Sequence, residues 1–554
     1  MRSLSRSARS PYALRVVFRL LPMVFAALLF ALISRLSAHA QPPAARPDTP
    51  AATPAPSPSR DAAPMKEPPA PVERRHQITL RGTTIEYLST TGMMPLKNDT
   101  GEIDAHVFFV AYTRVDAAHP TGDPHRPLVV AFNGGPGSAS VWLHLGALGP
   151  KRVQMNPDGG LPAAPYHLID NAQTWLDQAD LVFLDPVGTG YSRPTKPEYG
   201  KKFWGVQGDI AAAGDFIRLY LTRYKRWTSP LFLAGESYGT TRAAGLSNYL
   251  VEHGIALNGV VLISTVLNFQ TLEFASGNDL PYMLFLPTYT AAAWHHHKLA
   301  AAQQKDLNAT LREVEAWAQT DYASALAQGD HLSSSQRQAV IDRLARYTGL
   351  SKTYLDNCNL RVEIEGFCKE LLRDRKRTVG RLDSRFIGID SSGVSEFPDF
   401  DPSMAAIRPP YTALFYDYAR GELGYVSDEE YYVLGGGIRG PWDWGTRGQG
   451  YANVSEALRS AFAKNPYMRL FVASGYFDLA TPYFATQYTL AHLGLDPSLR
   501  GNVTTGQYEA GHMMYIDERS LTLLKRDVDR FLQTAVQSGV TPQSAVVGPT
   551  SGRP

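Results

Sequence analysis

Residues 230–241 read PLFLAGESYGTT, and this stretch decides the fold. A short run rich in Leu, Phe and Ala, without polar alternation, ends at Gly235-Glu236-Ser237-Tyr238-Gly239, and a helical pattern starts at once over Gly239 to His253. Unalternating apolar runs of this length read as strands covered on both faces. A G-x-S-x-G that joins such a strand to a helix is a strained turn that exposes the serine hydroxyl, with glycines where any side chain would collide with strand or helix. Ser237 is therefore the candidate nucleophile.

The same kind of run recurs on either side: PLVVAF (127–132), LVFL (181–184), VVLI (260–263) and RLFVA (469–473), with helical patterns such as QGDIAAAGDFIRLYLTRY (207–224) between them. Alternation of strand and helix predicts an α/β chain built on a mostly parallel sheet. Upstream, ITLRGTTIEYLS and AHVFFVAYTRV flank the polar KNDTGE and predict antiparallel strands at the entry to that sheet. From about Asn268 to Asn465 the alternation lapses into helical stretches (303–327 and 335–347) and aromatic loops. That predicts an inserted, largely helical cap over residues 268–465, dividing the core into 74–267 and 466–537. The core closes with Glu518 to Val536, where Leu521, Leu524, Val528, Phe531 and Leu532 share one helical face.

Residues 1–40 carry six arginines and no acid, an apolar run from Leu20 to Ile33, and the small-residue end Ala38-His39-Ala40. This is the three-part pattern of a secretory signal, and it predicts an exported chain without stable membrane association once the segment is removed. Residues 41–73 are dominated by Pro and Ala and predict a disordered linker; residues 538–554 predict a disordered tail. The formal net charge of +2 depends on the first forty residues, since 48 basic side chains face 52 acidic ones without them. A mildly acidic chain lacks the cationic footprint of a nucleic-acid binder. The two cysteines, Cys358 and Cys368, are expected to join across a short loop in an oxidising compartment. Neither they nor His295-His296-His297, which point in different directions on a helix, predict a metal site, and no cofactor is expected. The arginines between Arg361 and Arg385 are expected to be salt-bridged or solvated. Sequons occur at Asn98, Asn308, Asn453 and Asn502, yet so few cysteines suggest a bacterial, unglycosylated protein.

A serine hydroxyl attacks only when a base takes its proton, and in this kind of fold the acid and then the histidine follow the serine in the chain. Asp478, in SGYFDLATP beyond RLFVA, and His512, in GHMM after the extended run NVTTGQY, satisfy that order. His512 would act as base and then acid, with Asp478 holding its tautomer. NGGPGS (133–138) follows PLVVAF, and three glycines in four residues suit backbone N–H groups that must approach a developing oxyanion.

In order and spacing, NGGPGS, TWLDQADLVFLDPVGTGYS (174–192), GESYG, SGYFDLATP and GHMM resemble the serine carboxypeptidase family, whose fold is the α/β-hydrolase fold. The resemblance runs from about residue 76 to 535, and KELLRDRKRTVGRLDSRF (369–386) looks like bacterial members. It implies a triad of Ser237, Asp478 and His512 and oxyanion donors at the backbone of Gly135 and Tyr238. It further implies that Asn133, the backbone of Gly134, and Glu236 receive the terminal carboxylate of a peptide. Two positions depart from the family pattern: Ser138 stands at a cysteine position, and Ala147 where members carry a second glutamate. The resemblance thus implies a serine-type carboxypeptidase acting on peptides through an acyl-enzyme. An esterase or acyltransferase on the same triad is the alternative, and oligomeric state is not legible.

Overall fold

Apolar runs without polar alternation are stable only where both faces are covered, and the structure, a computed structural model, covers them with helices. It describes residues 70–538 apart from 447 and 449. The expected signal segment, most of the Pro/Ala-rich stretch and the expected tail after Ser538 lie outside the described residues. β1 (Val72–Leu80), β2 (Thr83–Lys97) and β3 (Ile103–Val115) form an antiparallel meander. β1 thus starts two residues inside the stretch expected to be linker, where Val72 and Glu73 already pair with Thr91 and Thr90.

β4 (Leu128–Phe132), β5 (Asp180–Leu184), β6 (Leu231–Ser237), β7 (Gly259–Thr265), β8 (Arg469–Gly475) and β9 (Val503–Tyr508) extend the sheet. The order is β1-β2-β3-β5-β4-β6-β7-β8-β9, with the two-residue strand Arg193–Pro194 also pairing β3. β3 meets β5 antiparallel, and every pairing from β5 to β9 is parallel. This is the α/β-hydrolase arrangement, and it places the carboxyl ends of β4, β6 and β8 side by side.

Period-two alternation explains the two layers. Leu128, Val130, Phe132, Leu231, Leu233, Val260, Leu262 and Val472 face α1 (Val206–Arg223) and α2 (Tyr238–Glu252). Val129, Ala131, Phe183, Phe232, Val261 and Phe471 face α3 (Pro402–Gly421) and α4 (Glu518–Ser538). Phe531 of α4 packs against Phe232 and Phe471, at ring-centroid distances of 6.3 and 5.9 Å.

The inserted region is less separate than the sequence suggests. Its own apolar core joins helices within 280–372 to Phe477, Leu479 and Phe484, which flank Asp478. α3, despite carrying Pro409 and Pro410, lays Ile407, Tyr411, Phe415 and Tyr418 on the sheet. The helix Ser455–Lys464 buries Leu458, Ala461 and Phe462 with α1 and α2. An amphipathic helix goes where its apolar stripe is covered, so both belong to the sheet layers rather than to a cap.

The expected disulfide is not formed. Cys358 ends the helix Lys352–Asn357 and its Sγ turns back to Leu355 O at 3.4 Å, while Cys368 is buried within the helix Ile364–Glu370. Each sulfur is engaged by its own helix or by the apolar cluster around it. Burial pushes the Cys358 thiol up to about 11 and that of Cys368 well above its ordinary value.

One buried ion pair ties the elbow helix to the rest of the fold. Arg242 of α2, 1% exposed, donates from Nε to Asp209 of α1 at 2.8 Å and from Nη1 to Asn133 O at 2.7 Å. Removing one member of such a pair leaves a buried charge uncompensated, so Arg242→Ala should cost about 3 to 5 kcal/mol. Denaturant unfolding of the variant measures this, and a loss under about 1 kcal/mol would show that the pair does not anchor the helix.

Candidate active site

Ser237 ends β6 and caps α2 with φ 59° and ψ −131°, a conformation that L residues rarely hold. The strand-to-helix reversal demands it. A Cβ on Gly235 would stand 2.2 Å from Gly239 O, and one on Gly134 would stand 2.4 Å from Tyr238 N. These glycines let the loop after β4 press against the first turn of α2, so Gly134, Gly135, Ser237 and Tyr238 all line one cavity of about 230 Å³. Tyr238 opens α2, and its backbone N–H stands at the positive end of the helix dipole.

The loop NGGPGS is braced from two sides. Ser138 N donates to Gly134 O, while Ala139 N donates to Val433 O and Gly435 N to Gly137 O, all at 2.9–3.0 Å. Beneath it, Asp185 Oδ1 accepts from Ser140 N at 2.8 Å, and Ser192 Oγ donates to Asp185 O at 2.6 Å while accepting from Phe108 N at 2.7 Å. DPVGTGYS therefore works as the shelf under this loop.

His512 lies on the same cavity, on the loop between β9 and α4. Its Nδ1 pairs with Asp478 Oδ2 at 2.8 Å. Asp478, with no exposed surface, also accepts from Ala480 N, Thr481 N and Thr481 Oγ1 at 2.7–3.0 Å, which fixes the carboxylate. The histidine loop is clamped by His512 N to Leu382 O at 2.6 Å, Ser264 Oγ to His512 O at 2.6 Å, and Gly511 N to Asp383 Oδ2 at 3.0 Å. Burial lowers the proton affinity of His512, but the charge and hydrogen bond of Asp478, helped by Glu236, more than offset it and hold the imidazole above its ordinary 6.5. Among the described residues no hydrogen bond joins Ser237 Oγ to His512; such bonds are often long in the absence of substrate.

Asn133, Gly134 and Glu236 occupy the same cavity. Asn133 Oδ1 accepts from Leu143 N at 2.9 Å, and its buried Nδ2 has no hydrogen-bond partner among the described residues. Glu236, 4% exposed, is pushed up to about 7 by burial and by Asp478, against the opposing effects of His512, Tyr515 and Asn133.

The sequence model of one family, described as serine carboxypeptidase, matches residues 87–376, just over half of the 554-residue chain. The chain belongs to the serine carboxypeptidase family. The match takes in NGGPGS and Ser237 and stops short of His512, which lines the same cavity, and of Asp478, which pairs with His512 behind it. Among curated relatives, serine carboxypeptidase-like 36 of Arabidopsis thaliana is 32% identical over 169 residues, 29% of this chain and 32% of that protein. The pheromone-processing carboxypeptidase of Saccharomyces cerevisiae is 31% identical over 173 residues, 29% of this chain and 22% of that protein. The chain thus spans about a third or less of the length of these relatives. A solved proline iminopeptidase from Mycobacterium smegmatis aligns at a TM-score of 0.34 and 13% identity, covering 81% of this chain and 99% of that one.

The departure at Ala147 has a structural counterpart. Ala147 is buried, without a polar group, in the π-helical turn His144–Leu148. Tyr515, three residues beyond His512, donates its hydroxyl to Glu236 Oε2. A Cβ on Gly146 would stand 2.6 Å from the Tyr515 ring and from Tyr411 Oη, so the glycine leaves room for the phenol. Tyr515 was not legible beforehand, because a lone tyrosine after a histidine motif carries no pattern. The other expectations divide. Arg361, Arg373 and Arg385 are paired with acids. His296 gives Nε2 to Ser384 O at 2.7 Å, and the described residues hold no group of His, Cys, Asp and Glu able to bind a metal.

Asp478→Asn keeps the shape of the site but reverses the hydrogen bond to Nδ1, leaving the wrong tautomer, so turnover should fall on the order of 10⁴-fold. Steady-state kinetics of the folded variant checks this, and a loss below about tenfold would assign the role to another carboxylate.

Proposed function

We propose that this chain is an exported bacterial serine-type carboxypeptidase that releases C-terminal residues from peptides through an acyl-enzyme on Ser237. His512 takes the hydroxyl proton as Ser237 attacks the last peptide bond and returns it to the leaving amine. Backbone N–H groups of Gly135 and Tyr238 receive the oxyanion, and Asp478 stabilises the imidazolium. The peptide carbonyl carbon passes to Ser237 Oγ, the C-terminal amino acid departs, and water then hydrolyses the ester. Export rests on the pattern of residues 1–40; no helix among the described residues is long and apolar enough to cross a membrane.

The observation that carries exopeptidase over endopeptidase or esterase is the buried Glu236 beside Ser237 on the cavity wall, where burial pushes its carboxyl up to about 7. A protonated carboxyl and the Nδ2–H of Asn133, both on the cavity, are donors suited to a terminal carboxylate. The decisive test is mass-spectrometric product analysis on a mixed peptide library. Stepwise loss of C-terminal residues is expected, abolished together with fluorophosphonate labelling in Ser237→Ala. Untouched peptides alongside cleaved esters would favour the esterase alternative.

The pH dependence has a definite sign. Two adjacent carboxylates bind only with a shared proton, so kcat/KM for free-acid peptides should fall as pH rises through about 7, where Glu236 ionises. Esters without a carboxylate need only neutral His512, whose proton affinity is raised, so their rate should instead climb with pH. Tyr515 donates to the ionised form of Glu236 and lowers its pKa. Tyr515→Phe should therefore move the alkaline fall for acid substrates upward and leave the ester profile in place. Superimposable acid and ester profiles in the unaltered protein would remove Glu236 from carboxylate binding.

A further inference from the structure

The arginine-rich segment of the insert holds one guanidinium that the fold does not use. Arg361 pairs with Asp279, Arg373 with Glu370, and Arg385 with Asp383 and Asp517, while Arg375 and Arg377 donate to backbone carbonyls. Arg381 is exposed, and among the described residues its guanidinium makes no hydrogen bond and no ion pair. It nevertheless lines the cavity that holds Ser237 and His512, where it is the lysine or arginine of the wall.

Its backbone is fixed on every side. Arg381 N donates to Asp401 Oδ1 at 3.1 Å and Arg381 O accepts from Leu479 N at 3.0 Å; the next carbonyl, Leu382 O, is the acceptor for His512 N. The root of the side chain is thus locked to the loops that carry both Asp478 and His512. Asp401, the acid beside it in the fold, is occupied by the backbone N–H groups of Arg381 and Ser403 and by the Ser403 hydroxyl. The neighbouring wall is apolar, with Leu272, Leu382, Met404 and Ile407. An exposed guanidinium on the rim of such a wall, with donors unspent, is free to make a charge-assisted hydrogen bond to a carboxylate that enters the cavity. Its charge also reaches His512 and opposes protonation there, so a ligand that neutralises it would act directly beside the general base.

We propose that Arg381 selects peptides carrying an acidic side chain next to the scissile bond, its guanidinium pairing with that carboxylate. This rests on the exopeptidase reading of the site. The terminal carboxylate is left to Glu236 and Asn133, and the second anion of an acidic peptide goes to Arg381.

The test uses peptides that differ only as Glu or Gln on either side of the scissile bond, each as free acid and as C-terminal amide, cleaved by the full chain and by Arg381→Gln and Arg381→Lys. The expected result is a preference for Glu over Gln of roughly tenfold in kcat/KM at one of the two positions, the size of a hydrogen-bonded charge pair. Arg381→Gln should abolish that preference, read as the ratio of kcat/KM for Glu and Gln peptides on the same variant at the same pH. Arg381→Lys should retain part of it, since an ammonium keeps the charge but not the planar fork. A preference unchanged by Arg381→Gln overturns the proposal. An equal loss on Glu and Gln peptides confined to free acids also overturns it, assigning the guanidinium to the terminal carboxylate. If no peptide loses a C-terminal residue while esters are cleaved, the exopeptidase reading falls first and this proposal with it.

Discussion

The backbone of Ser237, held at φ 59°, is the constraint from which the rest of the site follows. Such a conformation costs on the order of 1 to 3 kcal/mol and persists only where surrounding structure over-determines it. Here β6 is paired with β4 and β7, α2 is packed beneath the sheet, and Arg242 crosses from α2 to Asn133 O and Asp209. The glycines at 134, 235 and 239 are consequences of the same constraint, because the strand, the helix and the loop after β4 all approach the turn more closely than a side chain would allow. What looks in the sequence like a scatter of small residues is one close contact seen from three segments.

The parallel strands, the strand-to-helix turn at Ser237 and the loop positions of Asp478 and His512 were legible because each leaves a local mark: unalternating apolar runs, a glycine pattern at a strand-to-helix junction, polar residues just past strand ends. The helices of the insert were harder to place. α3 contains Pro409 and Pro410, and proline ordinarily argues against a helix interior. Its place on the sheet depends on Tyr411, Phe415 and Tyr418 finding the aromatic surface around His144, a tertiary effect with no short-range signature. The same limit explains the cysteines, where an oxidising compartment argued for a bond that helix packing does not make.

DPVGTGYS was the most specific stretch after NGGPG, yet nothing in it faces the chemistry directly. Its Asp185 and Ser192 accept hydrogen bonds from the backbone of Ser140 and Phe108, which brace the NGGPGS loop from below. A buried shelf of this kind tolerates little exchange, since Asp185, Thr189 and Ser192 each bond a particular backbone group. Specific sequence here marks support for the loop that does the work.

Inside the cavity, Glu236 and His512 each favour the charged form of the other: the histidine lowers the proton affinity of the carboxyl, and the carboxylate raises that of the imidazole. Two groups coupled in this way titrate as a pair, a proton on one disfavouring a proton on the other. With the proton on His512, the site lacks a free base and Glu236 is an anion; with it on Glu236, the imidazole is a free base and the carboxyl is a donor. On the proposed function, an entering terminal carboxylate repels the ionised Glu236 and so favours the second arrangement, delivering a neutral imidazole as it binds. Tyr515 sets the balance point, because a phenol that donates to Glu236 stabilises the charged carboxylate without supplying a competing proton. A second carboxyl at position 147 would have added another site for that proton, so Ala147 and Tyr515 together leave the coupling to Glu236 and His512 alone.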